Sequence, residues 1–174
     1  MEPATAPLLV AGTLLAIGGT PKIRRPAPTS GALRSVGLRV PDAAVRAGGL
    51  VEAALGVGAV LTGSRLLAAS VAASYLGFSA FVAVALSRGG VVASCGCLGR
   101  SDTPPTRSHL ALTLGLATAA AVAAVTGASG LIDLGWSAHD LALLALAGLT
   151  AWLAWMVLAL LPHARSPRRT VKEH

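Results

Sequence analysis

The sequence predicts an all-α polytopic bundle embedded in a membrane, and three observations lead there. The chain of 174 residues is 54% hydrophobic and only 12% charged, where a soluble domain carries about 25% charged residues. Its mean hydropathy is +0.71. The charges are also clustered, which leaves neutral stretches close to the ~20 residues that a helix needs to cross the hydrocarbon core. These stretches lack strand alternation and are dominated by Ala and Leu, so helices are expected. In lipid the backbone must satisfy its own hydrogen bonds, which favours the same element.

Five spans follow in order. Pro3 to Pro21 carries no charge and has its apolar centre at Leu8 to Ile17. Signal peptides begin with a basic region; here Glu2 is the flanking charge, so the stretch is expected to be a permanent helix. Ala47 to Ser64 carries one charge, Glu52. Leu66 to Ser87, Leu110 to Thr126 and Leu141 to Leu161 carry none. Gly48, Gly49, Gly56 and Gly58 in the second span, and Ala68, Ala69, Ala72 and Ala73 in the third, would let helix backbones approach closely in lipid. Between the first two spans, Leu33, Val36 and Leu38 alternate with Arg34 and Arg39; this stretch reads either as a short helix lying in the interface or as an ordinary basic loop. Pro104 and Pro105 end one element, and Thr106 or Ser108 is placed to cap the next.

The net charge of +7 invites a nucleic-acid reading until its distribution is traced. With five spans, Lys22, Arg24, Arg25, Arg34, Arg39 and Arg46 share a face with Arg88, Arg100 and Arg107, and with Arg165, Arg168, Arg169 and Lys172 of the tail. Only Arg65 lies on the other face, with Glu2, Asp133 and Asp140. Basic residues mark the cytoplasmic side, so the N-terminus is expected outside and the C-terminus inside a bacterial cell membrane. The partner implied by this charge is the lipid bilayer, and nucleic acid is excluded. Trp136, on the sparsely charged face, suits an interfacial aromatic.

The only two cysteines, Cys95 and Cys97, stand in "VVASCGCLGR" on the basic face. Three readings compete. As a redox dithiol they could close a small, strained and readily exchanged disulfide, with Gly96 supplying backbone freedom and nearby arginines favouring the thiolate. As a soft-metal site they offer two thiolates for copper or zinc, too few for structural zinc. As packing they are small hydrophobes. With one pair there is no internal relay, so electrons must pass to or from a partner protein or a quinone. Glu52, the acid inside a span, is a functional candidate by default: either a proton acceptor near the cysteine end of its span, or half of an ion pair with Lys22, Arg24 or Arg25. His139, His163 and His174 read as interfacial or tail residues, and Tyr75 and Trp152 as packing. Asp102, Ser108 and His109 do not make a hydrolase triad by proximity in sequence.

Taken in order, "PKIRRP", "SGALRSVGL", "GLVEAALGVGAVL" and "CGCLG" resemble the methylamine-utilisation MauE family, within the wider DoxX-like group of four-helix membrane proteins. The resemblance implies a MauE/DoxX-like membrane domain at residues 6–127, an additional C-terminal transmembrane segment at 128–162 and a basic cytoplasmic tail at 163–174. It implies thiol–disulfide exchange with a thioredoxin-like partner, in support of an exported client as in methylamine dehydrogenase maturation. Cys95 and Cys97 would then be the redox pair, with Glu52 a further catalytic candidate of unassigned role. The alternative is a membrane scaffold or subunit with incidental cysteines, or soft-metal handling. Impermeant-maleimide labelling of the cysteines in intact cells is expected to fail, and permeant labelling to succeed after reduction, if the basic face is cytoplasmic.

Overall fold

The structure, a computed structural model, describes residues 3–88 and 106–164. Among these residues it contains six α-helices, a single short 3-10 turn and no strand. They are α1 (Thr5–Arg24), α2 (Ala27–Ser35), α3 (Asp42–Thr62), α4 (Arg65–Ser87), α5 (Arg107–Thr126) and α6 (Ala138–Ala164), with the turn at Leu131–Asp133. Five of the helices, all but α2, are long and apolar enough to cross a membrane. The all-α, five-span expectation therefore holds. Cys95, Cys97, Arg100, Asp102 and the tail from residue 165 lie outside the described residues.

Two boundaries differ from the hydropathy reading. The first helix continues through Pro21 to Arg24, because proline late in a helix removes one backbone bond yet its fixed φ remains helical. Lys22, assigned to a loop by its charge, thus belongs to α1 and is buried. The third helix begins at Asp42, ahead of the neutral stretch, so Glu52 stands near the middle of α3 and not close to its end. Asp42 in the first turn is well placed against the helix dipole, and its carboxylate accepts a 2.7 Å hydrogen bond from Ser30 Oγ of α2.

The arrangement centres on α1. Of its span 56% is buried, against 33% or less for the other four, and it touches α3, α4, α5 and α6. Its most extensive partner is α3, while α4 packs chiefly on α5. The reason lies in two reciprocal glycine pairs, Gly12 with Gly56 and Gly19 with Gly49. A Cβ on Gly12 would come within 2.9 Å of the Gly56 carbonyl oxygen, and one on Gly49 within 2.7 Å of the Gly19 oxygen. The antiparallel backbones are in direct contact there, at a distance only glycine permits. Leu8, Leu15 and Val71 fill the interior beside this seam.

Polar side chains fasten the helices internally. Tyr75 Oη of α4 donates to the Ala11 carbonyl of α1 at 2.9 Å. Ser79 Oγ donates to Thr113 Oγ1 across α4 and α5 at 2.8 Å. Thr106 caps α5 by accepting from the His109 backbone N–H at 3.3 Å, as the sequence suggested. Ser137 and Asp140 form a reciprocal cap at the start of α6: Ser137 N–H donates to Asp140 Oδ2 at 3.0 Å and Asp140 N–H to Ser137 Oγ at 3.2 Å. Among the described residues no buried side-chain nitrogen or oxygen lacks a partner.

The two ends of the bundle differ. One brings together Thr5, whose Oγ1 accepts from Ser129 N–H at 3.0 Å, and the left-handed Gly63 (φ +60°), which presses on Ala128 and Gly130. Arg65 begins α4 at this end. The other end carries the close of α1, α2, the start of α3, the close of α4 and the start of α5, and with them the described basic residues other than Arg65. Replacing Gly49 by Leu is expected to lower thermal stability in detergent by at least ~2 kcal/mol, because the obstruction is backbone and cannot rotate away. Gly115→Ala, where a Cβ meets nothing within 4 Å, should match wild type in the same melting assay.

Candidate functional site

The glycine seam determines where α1 can place a long side chain. Beside Gly49, a Cβ would meet Lys22 Cβ at 2.9 Å, and beside Gly19 it would meet Glu52 Cβ at 3.2 Å. Lys22 and Glu52 therefore leave adjacent points of two touching helices. Their side chains meet: Lys22 Nζ donates to Glu52 Oε1 at 2.7 Å and to Oε2 at 2.6 Å. The lysine side chain is 7% exposed and the glutamate 15%. Of the three basic partners that the sequence allowed for Glu52, Lys22 closes on it; Arg24 and Arg25 are exposed.

An ammonium and a carboxylate in an apolar bundle are tolerable only as a pair, since removing either charge from water costs several kcal/mol. A third contact helps here. Lys22 Nζ lies 4.3 Å from the centroid of the Phe78 ring, a cation–π arrangement that strengthens away from water. Phe78 in turn meets Tyr75 edge to face, centroids 5.9 Å apart and planes at 87°. The Tyr75 hydroxyl is held by the Ala11 carbonyl. A line of contacts thus runs from Glu52 through Lys22, Phe78 and Tyr75 back to α1.

The pair forms part of the wall of a cavity of about 260 Å³ bounded by α1, α2, α3 and α4. Its lining is mostly apolar and includes Leu33, Val45, Phe78 and Phe81. The short helix that the sequence left open against a basic loop closes one side. Ala32 and Val36 are buried against Ala85 and Phe81, whereas Leu38 is 55% exposed. The apolar face of α2 is turned onto the bundle, which is why the helix does not lie free in the interface.

The sequence points to Glu52 and offers Lys22 as one of its partners without placing it in a helix. Tyr75 reads there as packing, which is correct for the ring and omits its hydroxyl. Phe78 and the Ser30–Asp42 tie do not stand out in it. The available signal for Phe78 was weak: with only two phenylalanines in the chain, both line the cavity. The dithiol cannot be related to this site in space, because Cys95 and Cys97 lie outside the described residues.

Five membrane-length helices, four of them packed around the buried first, with a single ion pair enclosed toward the basic end among the described residues, define a multi-pass membrane protein in contact with the lipid bilayer. Residues 3–129 match the family of methylamine utilisation protein MauE. The chain belongs to that family, which makes it a membrane protein associated with methylamine utilisation. The matched region covers α1 to α5 and both cysteines, and α6 lies beyond it. No curated protein and no solved structure matches the chain.

Glu52→Gln is expected to destabilise the bundle by about 3–5 kcal/mol, since the Lys22 ammonium would keep its burial and lose its counter-charge. The double variant Lys22→Met with Glu52→Leu should recover most of that loss. Thermal unfolding of the two variants in one detergent checks both statements. Tyr75→Phe, which deletes a single buried hydrogen bond, should cost about 1 kcal/mol in the same assay.

Proposed function

We propose that the chain exchanges thiols and disulfides with a thioredoxin-like partner, in support of maturing an exported protein of the methylamine dehydrogenase type. The observation that carries this reading is the Cys95-Gly96-Cys97 sequence, the only cysteines of the chain, inside the part matched to the MauE family. A thiolate at one cysteine attacks the partner disulfide, forming a mixed disulfide, and the other cysteine resolves it. Thiolate formation is favoured by the basic residues that gather at the end of the bundle from which α4 leads toward the pair and α5 returns. By the same charge bias this end faces the cytoplasm, which makes the dithiol an inward stage of an electron route serving clients outside.

Within this reading Glu52 is bound up with Lys22, and its contribution to the dithiol is indirect: it fixes α1 against α3 beneath the basic end. The Cys95→Ser, Cys97→Ser double variant, expressed to wild-type level, tests the exchange reading. It is expected to abolish maturation of the client and to eliminate the mixed disulfide trapped with a partner thioredoxin fold by either single variant. Full maturation by the double variant would leave the chain as a scaffold with incidental cysteines.

A further inference from the structure

The cavity beside Lys22 and Glu52 has a feature that a packing void lacks, namely a mouth. Gly48 of α3 and Gly77 of α4 both line it and both are exposed. A Cβ built at either would meet nothing within 4 Å, so neither glycine is required by the packing of α3 on α4. Those two helices touch each other far less than α1 touches α3 or α4 touches α5. The opening therefore lies between the outward sides of two membrane-length helices, where the surroundings are lipid.

Three properties define what such an opening admits. Entry from lipid selects an apolar, lipid-soluble molecule. The walls, with the Phe78 and Phe81 rings, suit a flat ring and its hydrocarbon tail. Thr29 adds a hydroxyl to the lining, and the charged part of the wall is a neutral pair, so a charged ligand gains no net Coulomb attraction there. The pair instead presents an ammonium donor and a carboxylate whose lone pairs Lys22 fills only in part: it takes two of roughly four sites. An acyl chain uses neither group. A molecule whose oxygen accepts a hydrogen bond in one state and donates one in another uses both.

We propose that this cavity binds the ring of a lipid-soluble quinone, the carbonyl form accepting from Lys22 and the hydroquinone form donating to Glu52. The inference rests on the thiol–disulfide reading above with that reversible exchange run in the opposite direction: a reduced partner dithiol passes two electrons to the Cys95–Cys97 disulfide, and a chain with one cysteine pair must then pass them onward. The step balances with a quinone as the named oxidant. Two S–H bonds of the reduced dithiol break and one S–S bond forms. The two electrons and two protons released convert the two quinone carbonyls to hydroxyls.

The test uses the full-length protein, purified in detergent and freed of endogenous quinone, with a short-chain benzoquinone as probe in equilibrium dialysis. Gly77→Leu and Gly48→Leu fill the mouth, and a leucine at a helical glycine also raises helix propensity, so both variants are expected to melt like wild type. Each should weaken benzoquinone binding at least tenfold, while Gly115→Leu on α5 should leave it unchanged. A photoreactive azido-benzoquinone should label peptides of α3 and α4. Unchanged affinity in both mouth variants, or labelling confined to other helices, would overturn the assignment. So would equal competition by an alkyl alcohol bearing the same tail without the ring. Binding by the Cys95→Ser, Cys97→Ser protein separates the two proposals, since it should equal wild type. If wild type binds the probe in the cavity yet its reduced form yields no hydroquinone, the site stands and the dithiol reading fails. If hydroquinone forms with unaltered binding in Gly77→Leu, the dithiol reading stands and the site fails.

Discussion

The backbone contact between α1 and α3 at Gly12–Gly56 and Gly19–Gly49 is the constraint on which the rest of this structure depends. Lipid tails are as apolar as leucine, so the hydrophobic effect does not drive helices together inside a bilayer. Close packing must, and it is strongest where no side chain separates the backbones. Two glycine pairs along antiparallel helices hold the seam over much of its length. A helix held this closely becomes the centre of the bundle, which is why α1, with no charge before Lys22, is the most enclosed span.

The ion pair is a consequence of that contact. Lys22 and Glu52 are separated by thirty positions in sequence and meet because the glycines beside them touch. Given the seam, the charged groups have little choice. Lys22 is already turned inward on α1, and leaving it unpaired would cost more than pairing it. The Phe78 ring then covers the ammonium, and Tyr75 joins that ring to the Ala11 carbonyl. Polar groups that would be liabilities singly become the links that orient α4 on α1. The same logic holds for Ser79 and Thr113 between α4 and α5.

The ends of the bundle divide two kinds of work. At the end carrying Thr5, Gly63 and Ser129, the connections hold one charged residue, Asp133, and α3 passes to α4 through a left-handed glycine. At the other, the chain spends more residues, adds α2 and gathers its basic side chains. The family match extends over this whole arrangement to residue 129 and stops before α6. The cavity lies toward the charged end, with α2 as one wall and the ion pair as another. The enclosure found in the fold and the gathered basic side chains thus belong to the same half of the molecule.

By itself the sequence determined the five spans, the all-α class and the separation of charge between the two ends. Each of these follows from local quantities: the hydropathy of about twenty consecutive residues, and a count of lysine and arginine between them. The Thr106 cap was legible for the same reason, since donor and acceptor lie three residues apart. The extent of α1 was not, because Pro21 and the charge of Lys22 both argue for a loop when read locally. Tertiary structure alone decided that Lys22 is the partner of Glu52, that the apolar face of α2 closes onto Phe81 and Ala85, and that Gly48 and Gly77 stand at a mouth while Gly49 and Gly56 stand in a seam. All four are glycines in apolar helices, and sequence reads them alike. Their roles diverge because a helix turns about 100° per residue, so neighbours such as Gly48 and Gly49 look in different directions, and only the position of the next helix gives each direction a meaning.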